Sequence, residues 1–87
     1  MNSTIALKDL VDTMTHPNVE QPFHGRALAE RSGYHIETVR KILQRLERNG
    51  YLVSNYGSVD SKGRYQRVKR YYTTPAFEEL ERMLENR

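Results

Sequence analysis

Between residues 38 and 48 stand Thr38, Arg40, Lys41, Gln44, Arg45 and Arg48, side chains rich in hydrogen-bond donors and positive charge. Lysine and arginine donate to the O6 and N7 edge of guanine, and glutamine pairs with the N6 and N7 edge of adenine, so this set has the chemistry of base recognition. A second basic group, Lys62, Arg64, Arg67, Lys69 and Arg70, is interleaved with Tyr65 and Tyr71 and suits the phosphate backbone. Arg26 adds an earlier cation.

Helical geometry sorts the first group. Val39, Ile42, Leu43 and Leu46 follow the 0, 3, 4, 7 spacing of one buried face, which predicts a helix from about Ile36 to Arg48 ended by Asn49-Gly50. At 100° per residue the opposite direction carries Glu37, Lys41, Gln44 and Arg48, with Thr38, Arg40 and Arg45 on the shoulders. Glu37 is read as an acid favourably placed at a helix N-terminus rather than as a reader of cytosine.

The flanking segments must hold this helix in place. Leu7, Leu10, Val11 and Met14 predict a first helix, capped by Asn2 or Ser3 and ended at His16-Pro17. Residues 18–22 read as a loop. A short second helix from about His24 to Arg31, anchored by Leu28, stops at Ser32-Gly33, and Tyr34 sits in the tight turn that follows as a core residue. Aromatic and β-branched residues mark two strands, 51–56 and 65–73, joined by a tip rich in turn formers over residues 57–63. Tyr51, Tyr56, Tyr71 and Tyr72 are read as hairpin and core packing rather than base-stacking platforms. Thr74-Pro75 opens a closing helix over about 75–86. In it Phe77, Leu80, Met83 and Leu84 are core or dimer seam, and Glu78, Glu79, Glu81 and Glu85 are its solvated side. The expected architecture is mainly α with a small β-hairpin, in the order α1-α2-α3-β-β-α4. It reads as one winged helix-turn-helix domain over 1–87, with the helix-turn-helix at about 24–49 and the wing at about 51–73.

Charge is distributed to match. The chain carries a net +3, but residues 26–70 hold eleven Lys or Arg against four acids, while the flanks hold three against seven. With 87 residues there is little room for an enclosed active site. The chain lacks cysteine, which excludes disulfides and thiolate metal sites. His16, His24 and His35 have no metal-site spacing and are read as structural or capping groups. No phosphate-binding glycine-rich loop or cluster of catalytic carboxylates is present. A non-enzyme without metal or cofactor is expected, with neither signal peptide nor membrane span, and therefore cytoplasmic.

The strings Phe23-His24-Gly25-Arg26-Ala27-Leu28-Ala29-Glu30-Arg31, Thr38-Val39 and Leu43-Gln44-Arg45-Leu46-Glu47-Arg48-Asn49-Gly50-Tyr51-Leu52 resemble the PadR family of winged-helix transcription regulators, as does Arg70-Tyr71-Tyr72 followed by Thr74-Pro75. The Leu-Glu-x-x-Gly-Tyr-Leu segment also occurs across other winged-helix families, MarR-like ones included. The resemblance covers roughly residues 5–80 and implies a DNA-binding regulator, most often a repressor. In two respects the chain departs from PadR. It lacks the apolar residue usual between the tyrosines and Thr-Pro, and it ends before the family's longer dimerisation region, so a smaller or differently built interface is expected.

On this reading Thr38, Lys41 and Gln44 contact bases, while Arg26, Arg40, Arg45, Arg48, Lys62, Arg64, Arg67, Lys69 and Arg70 contact phosphates or act from the wing. The partner is double-stranded DNA, bound as a homodimer whose seam draws on Phe77, Leu80, Met83 and Leu84. The competing reading is a winged-helix module that docks an acidic protein partner without specific DNA binding.

Overall fold

The helical period of apolar positions along Ile36–Arg48 yields the longest helix among the described residues, and the other elements collect on its apolar side. The computed structural model describes residues 3–58 and 67–85. Asn2, Lys62, Arg64 and Tyr65 therefore lie outside the described residues. The order is α1 (Ser3–Met14), α2 (Gly25–Ser32), α3 (Ile36–Arg48), β1 (Leu52–Ser58), β2 (Arg67–Thr73) and α4 (Ala76–Glu85), as the sequence predicts.

The core draws on every element: Ala6, Leu10, Val11 and Met14 of α1, Leu28 of α2, Val39, Leu43 and Leu46 of α3, Leu52 and Tyr71 of the hairpin, and Phe77, Leu80 and Leu84 of α4. Leu7 and Ile42, expected among the buried stripes, are only partly covered, and Ala6 takes a buried place in α1 instead. Of the four residues offered for a dimer seam, Phe77, Leu80 and Leu84 are spent in the chain's own core. Only Met83, 52% exposed, points outward.

The helix-turn-helix is held by its ends. Gly33 lies at φ 80°, a left-handed conformation that suits glycine because it has no Cβ, and its N–H closes α2 on the Ala29 carbonyl. His35 then caps α3, its Nδ1 accepting from the Glu37 N–H at 3.1 Å. Tyr34 lies between these two caps, partly covered by the core, and its hydroxyl donates to Asp9 of α1 at 2.6 Å.

The hairpin differs from expectation at both its ends. Gly57 and Ser58, read as part of the tip, continue β1 and pair with Val68 and Arg67. The Arg70 guanidinium lies over Gly57, in the space that a Cβ at that point would enter. At the other end Phe23, within a segment read as leading into α2, exchanges two backbone hydrogen bonds with Tyr71 at 2.8 and 3.0 Å and forms a third, one-residue strand. Gln21 adds to this seam, bonding both the backbone and the hydroxyl of Thr73. Thr74, which opens α4, donates its hydroxyl to the Gly50 carbonyl at 2.6 Å and ties the hairpin's exit to the exit of α3.

Candidate nucleic-acid interface

The outer face of α3 is fully solvated: Glu37, Arg40, Lys41, Gln44, Arg45 and Arg48 are all exposed, and Thr38 is half-buried. One ion pair crosses this face, Arg40 to Glu37 at 3.0 Å with both side chains more than half exposed. Such pairs are weak and exchange readily, which leaves Arg40 free to take another acceptor.

The two flanks of α3 are not equivalent. On one of them Glu47 touches the hairpin, its carboxylate accepting from the Ser54 hydroxyl of β1 and pairing with the Lys69 ammonium of β2 at 3.3 Å. Advancing 100° per residue puts Arg40 about 20° and Gln44 about 60° from Glu47 around the helix, whereas Lys41 lies about 120° and Thr38 about 180° away. Gln44 and Arg40 therefore lie on the hairpin side of α3, about one and two turns N-terminal to Glu47, with the Arg40 stem beside Gly25 of α2. On the far flank Thr38, Lys41 and Arg45 border a groove floored by Ala6 and Leu7 of α1, by Ile42 and Leu46, and by Tyr51 and Leu80. The arc from Arg40 through Lys41 and Gln44 to Arg48 is what α3 presents outward. Thr38 sits at its edge.

Strand pairing sorts the hairpin cations in the same way. Leu52↔Thr73 and the following pairs place Ser54, Tyr56, Arg67, Lys69 and Tyr71 on the face turned to α3, and Val53, Asn55, Val68, Arg70 and Tyr72 on the other. Arg67 is exposed and its guanidinium lies 4.2 Å over the Tyr56 ring. Tyr56, read as hairpin and core packing, is 54% exposed and packs within the hairpin under that cation. Arg70, on the outer face, donates to Asn55 at 3.1 Å. Lys69 is half-buried, engaged by Glu47 and 5.2 Å from the Tyr71 ring. Arg26 is exposed on the first turn of α2. Arg45 and Arg48 also occupy the last turn of α3, where positive charge complements the helix dipole whether or not a ligand is present.

Hydrogen bonding from Ser54 lowers the Glu47 carboxyl below its ordinary value of 4.5, and Lys69 adds to that shift against the opposing effect of burial. Burial alone would lower Lys69, but the Glu47 carboxylate offsets it and holds the ammonium above its ordinary value. A carboxyl whose folded value is depressed stabilises the fold above its unfolded value and loses that contribution as pH falls through the folded one. Acid titration of stability from neutral pH should therefore fall more steeply in the wild type than in Glu47→Gln, with the two curves converging below the ordinary glutamate range. Parallel curves would deny the pairing.

Neither Glu47 nor Ser54 stood out in the sequence. The signal was an acid at the border of the apolar stripe in a helix otherwise lined with cations. Among the described residues there is no cluster of three or more His, Asp or Glu placed to hold a metal, and no helix is long and apolar enough to cross a membrane.

No family model and no curated protein matches the chain. Solved structures do. The PcaV transcriptional regulator from Streptomyces coelicolor, in complex with its natural ligand, superposes with a TM-score of 0.67 at 20% identity over 94% of this chain and 52% of that one. Staphylococcus aureus MarR, in complex with salicylate and kanamycin, gives 0.65 at 18% identity over 93% and 49%. The fold is a winged helix-turn-helix. With α2 and α3 as the helix-turn-helix and β1-β2 as the wing, the chain spans about half the length of both these regulators. A putative DNA-binding protein from Ralstonia eutropha JMP134 matches over nearly its whole length, 97% of this chain and 96% of that one, with a TM-score of 0.58 at 20% identity. The likeness reaches the winged-helix fold through MarR-type structures. It does not single out the PadR family.

Proposed function

We propose that the chain is a transcription regulator that binds double-stranded DNA in a sequence-specific manner, with α3 in the major groove and the wing along the backbone or in the adjacent minor groove. The observation that carries this reading is the continuity of donors across two elements. Arg40, Lys41, Gln44 and Arg48 are exposed on α3, and Arg67 is exposed on the wing face turned toward them. Base contacts fall to Lys41 and Gln44, with Arg40 beside them and Thr38 at the border. Phosphate contacts fall to Arg26, Arg45, Arg48, Arg67 and Arg70, joined by Lys62 and Arg64 of the wing tip. Repression as the outcome rests on the resemblance to PadR proteins. A single module buries about 600–1,000 Å² on DNA, so two copies on two half-sites supply the specificity, and the protein acts as a homodimer.

Duplex binding measured across salt concentrations tests the electrostatic half of the reading. Each phosphate neutralised contributes roughly −0.9 to the slope of log affinity against log salt. Arg67→Gln should weaken binding to all duplexes alike and make that slope shallower by about one phosphate's worth. An unchanged slope would remove Arg67 from the interface. A wild-type chain that binds an acidic protein but no duplex would instead favour the docking module.

A further inference from the structure

Lys69 is a wing cation in sequence, yet its surroundings differ from those of Arg67 and Arg70. Its ammonium lies against the Glu47 carboxylate at 3.3 Å, only about a third of either side chain is exposed, and Tyr71 closes one side. Both carboxylate oxygens of Glu47 are engaged, Oε1 by Lys69 of β2 and Oε2 by Ser54 of β1. One side chain of α3 is thereby fastened to both strands of the wing. The contact sits between the Leu46 carbonyl, which receives the Tyr51 N–H where the strand begins, and the outer half of the hairpin, which carries Arg67 on Tyr56. Beyond Leu52 and Tyr71 the strands have little core to rest on: Asn55 and Tyr56 are exposed, as is Arg67. Without the Glu47 contact, the angle of that outer half to α3 would be set only by the twist of a two-stranded ribbon, which is marginal by itself.

We infer that Glu47 is a positioning residue that clamps the wing to the recognition helix through Ser54 and Lys69, and that Lys69 serves this clamp and not a DNA phosphate. The inference rests on the DNA-binding reading for its consequence and on the geometry alone for the clamp. With the clamp closed, the separation of Arg40 and Gln44 from Arg67 is fixed, so helix and wing engage one duplex without first paying to order the hairpin. The same contact explains an acid in a surface otherwise suited to an anionic ligand, where an unpaired carboxylate would repel phosphate.

The two roles for Lys69 give effects of opposite sign in Glu47→Gln. A phosphate-binding Lys69 would be released by this change, and affinity for duplex DNA would rise. A clamp would be weakened, and affinity should fall by about 3- to 10-fold in spite of the lost negative charge. Lys69→Met, which keeps the stem over Tyr71, should cost about as much and leave the salt slope unchanged, whereas loss of a phosphate contact would make it shallower by about 0.9. The double variant should be no worse than either single one, and Lys69→Arg should retain wild-type affinity. Additive losses, or a rise in Glu47→Gln, overturn the inference. Amide hydrogen exchange of the free protein reads the clamp with no DNA present. Exchange at Asn55 and Gly57, whose amides face Arg70 and Val68 in the ladder, should quicken in Glu47→Gln and Lys69→Met alike, and unaltered exchange in both variants also overturns it. Were the wild type to bind no duplex, the DNA reading would fail by itself, and the exchange result would still decide the clamp.

Discussion

Replacing Leu43 by alanine should cost about 2–5 kcal/mol of folding stability, the range for deleting a fully buried leucine side chain. Leu43 is 0% exposed and lies where α3 meets the start of α2, close enough that a Cβ on Gly25 would be in van der Waals contact with it at 3.7 Å. The cost has two parts, the lost transfer of apolar surface and the cavity left behind, and both are large where neighbours cannot collapse inward. Val39 and Leu46 are held by the same helix, and Leu28 by a helix closed at its C-terminus by Gly33. A domain this small has a total stability near the lower end of about 5–15 kcal/mol, so a substantial fraction of the variant would be unfolded at growth temperature. The midpoint of thermal unfolding should drop by roughly 4–8 °C for each kcal/mol lost. Met83→Ala is the matched control: at 52% exposure it should change stability by less than about 0.5 kcal/mol in the monomer. Equal effects of the two changes would mean that the core has been misplaced.

The second large effect is on recognition. Lys41→Ala combined with Gln44→Ala should weaken binding to the preferred duplex by on the order of a hundredfold, since each good base contact discriminates by about 1–3 kcal/mol. Both side chains are exposed on α3, so the fold should keep its wild-type melting midpoint. Binding to unrelated duplexes should fall far less, because the phosphate contacts assigned to Arg26, Arg45, Arg48, Arg67 and Arg70 are left in place. Competition titrations of the variant against specific and random duplexes measure both quantities. A proportional loss on both would mean that Lys41 and Gln44 act through charge alone.

How far the sequence carried these assignments depended on the range of the signal. The apolar period of Ile36–Arg48 is local, and the helix appears with the bounds that period predicts. Gly33 as the stop of α2 is local too, being a property of one backbone conformation. What the sequence did not carry is contact between distant segments. Phe23 pairs with Tyr71, and Gln21 with Thr73, across about fifty residues of chain, and no periodicity records such a pairing. Glycine marks turns in a sequence, yet Gly57 continues β1 opposite Val68. Sorting the cations needs the same long-range information. Arg67, Lys69 and Arg70 look alike in a list of charges, and only strand register and the nearness of Glu47 separate an exposed cation from a fastened one. Thr38 was chosen by its place in the first turns of α3, a rule of docking geometry that takes no account of α1 lying along that flank.

The most direct test of the central claim is selection of bound sequences by the wild-type chain from a random duplex pool, repeated at low and moderate salt. The expected result is a palindromic motif whose half-sites lie about 10 base pairs apart, centre to centre, or a multiple of that, and which persists at the higher salt. Recovery of no motif, with weak binding that vanishes as salt rises, would contradict it and leave the basic face of α3 as a surface for an acidic protein.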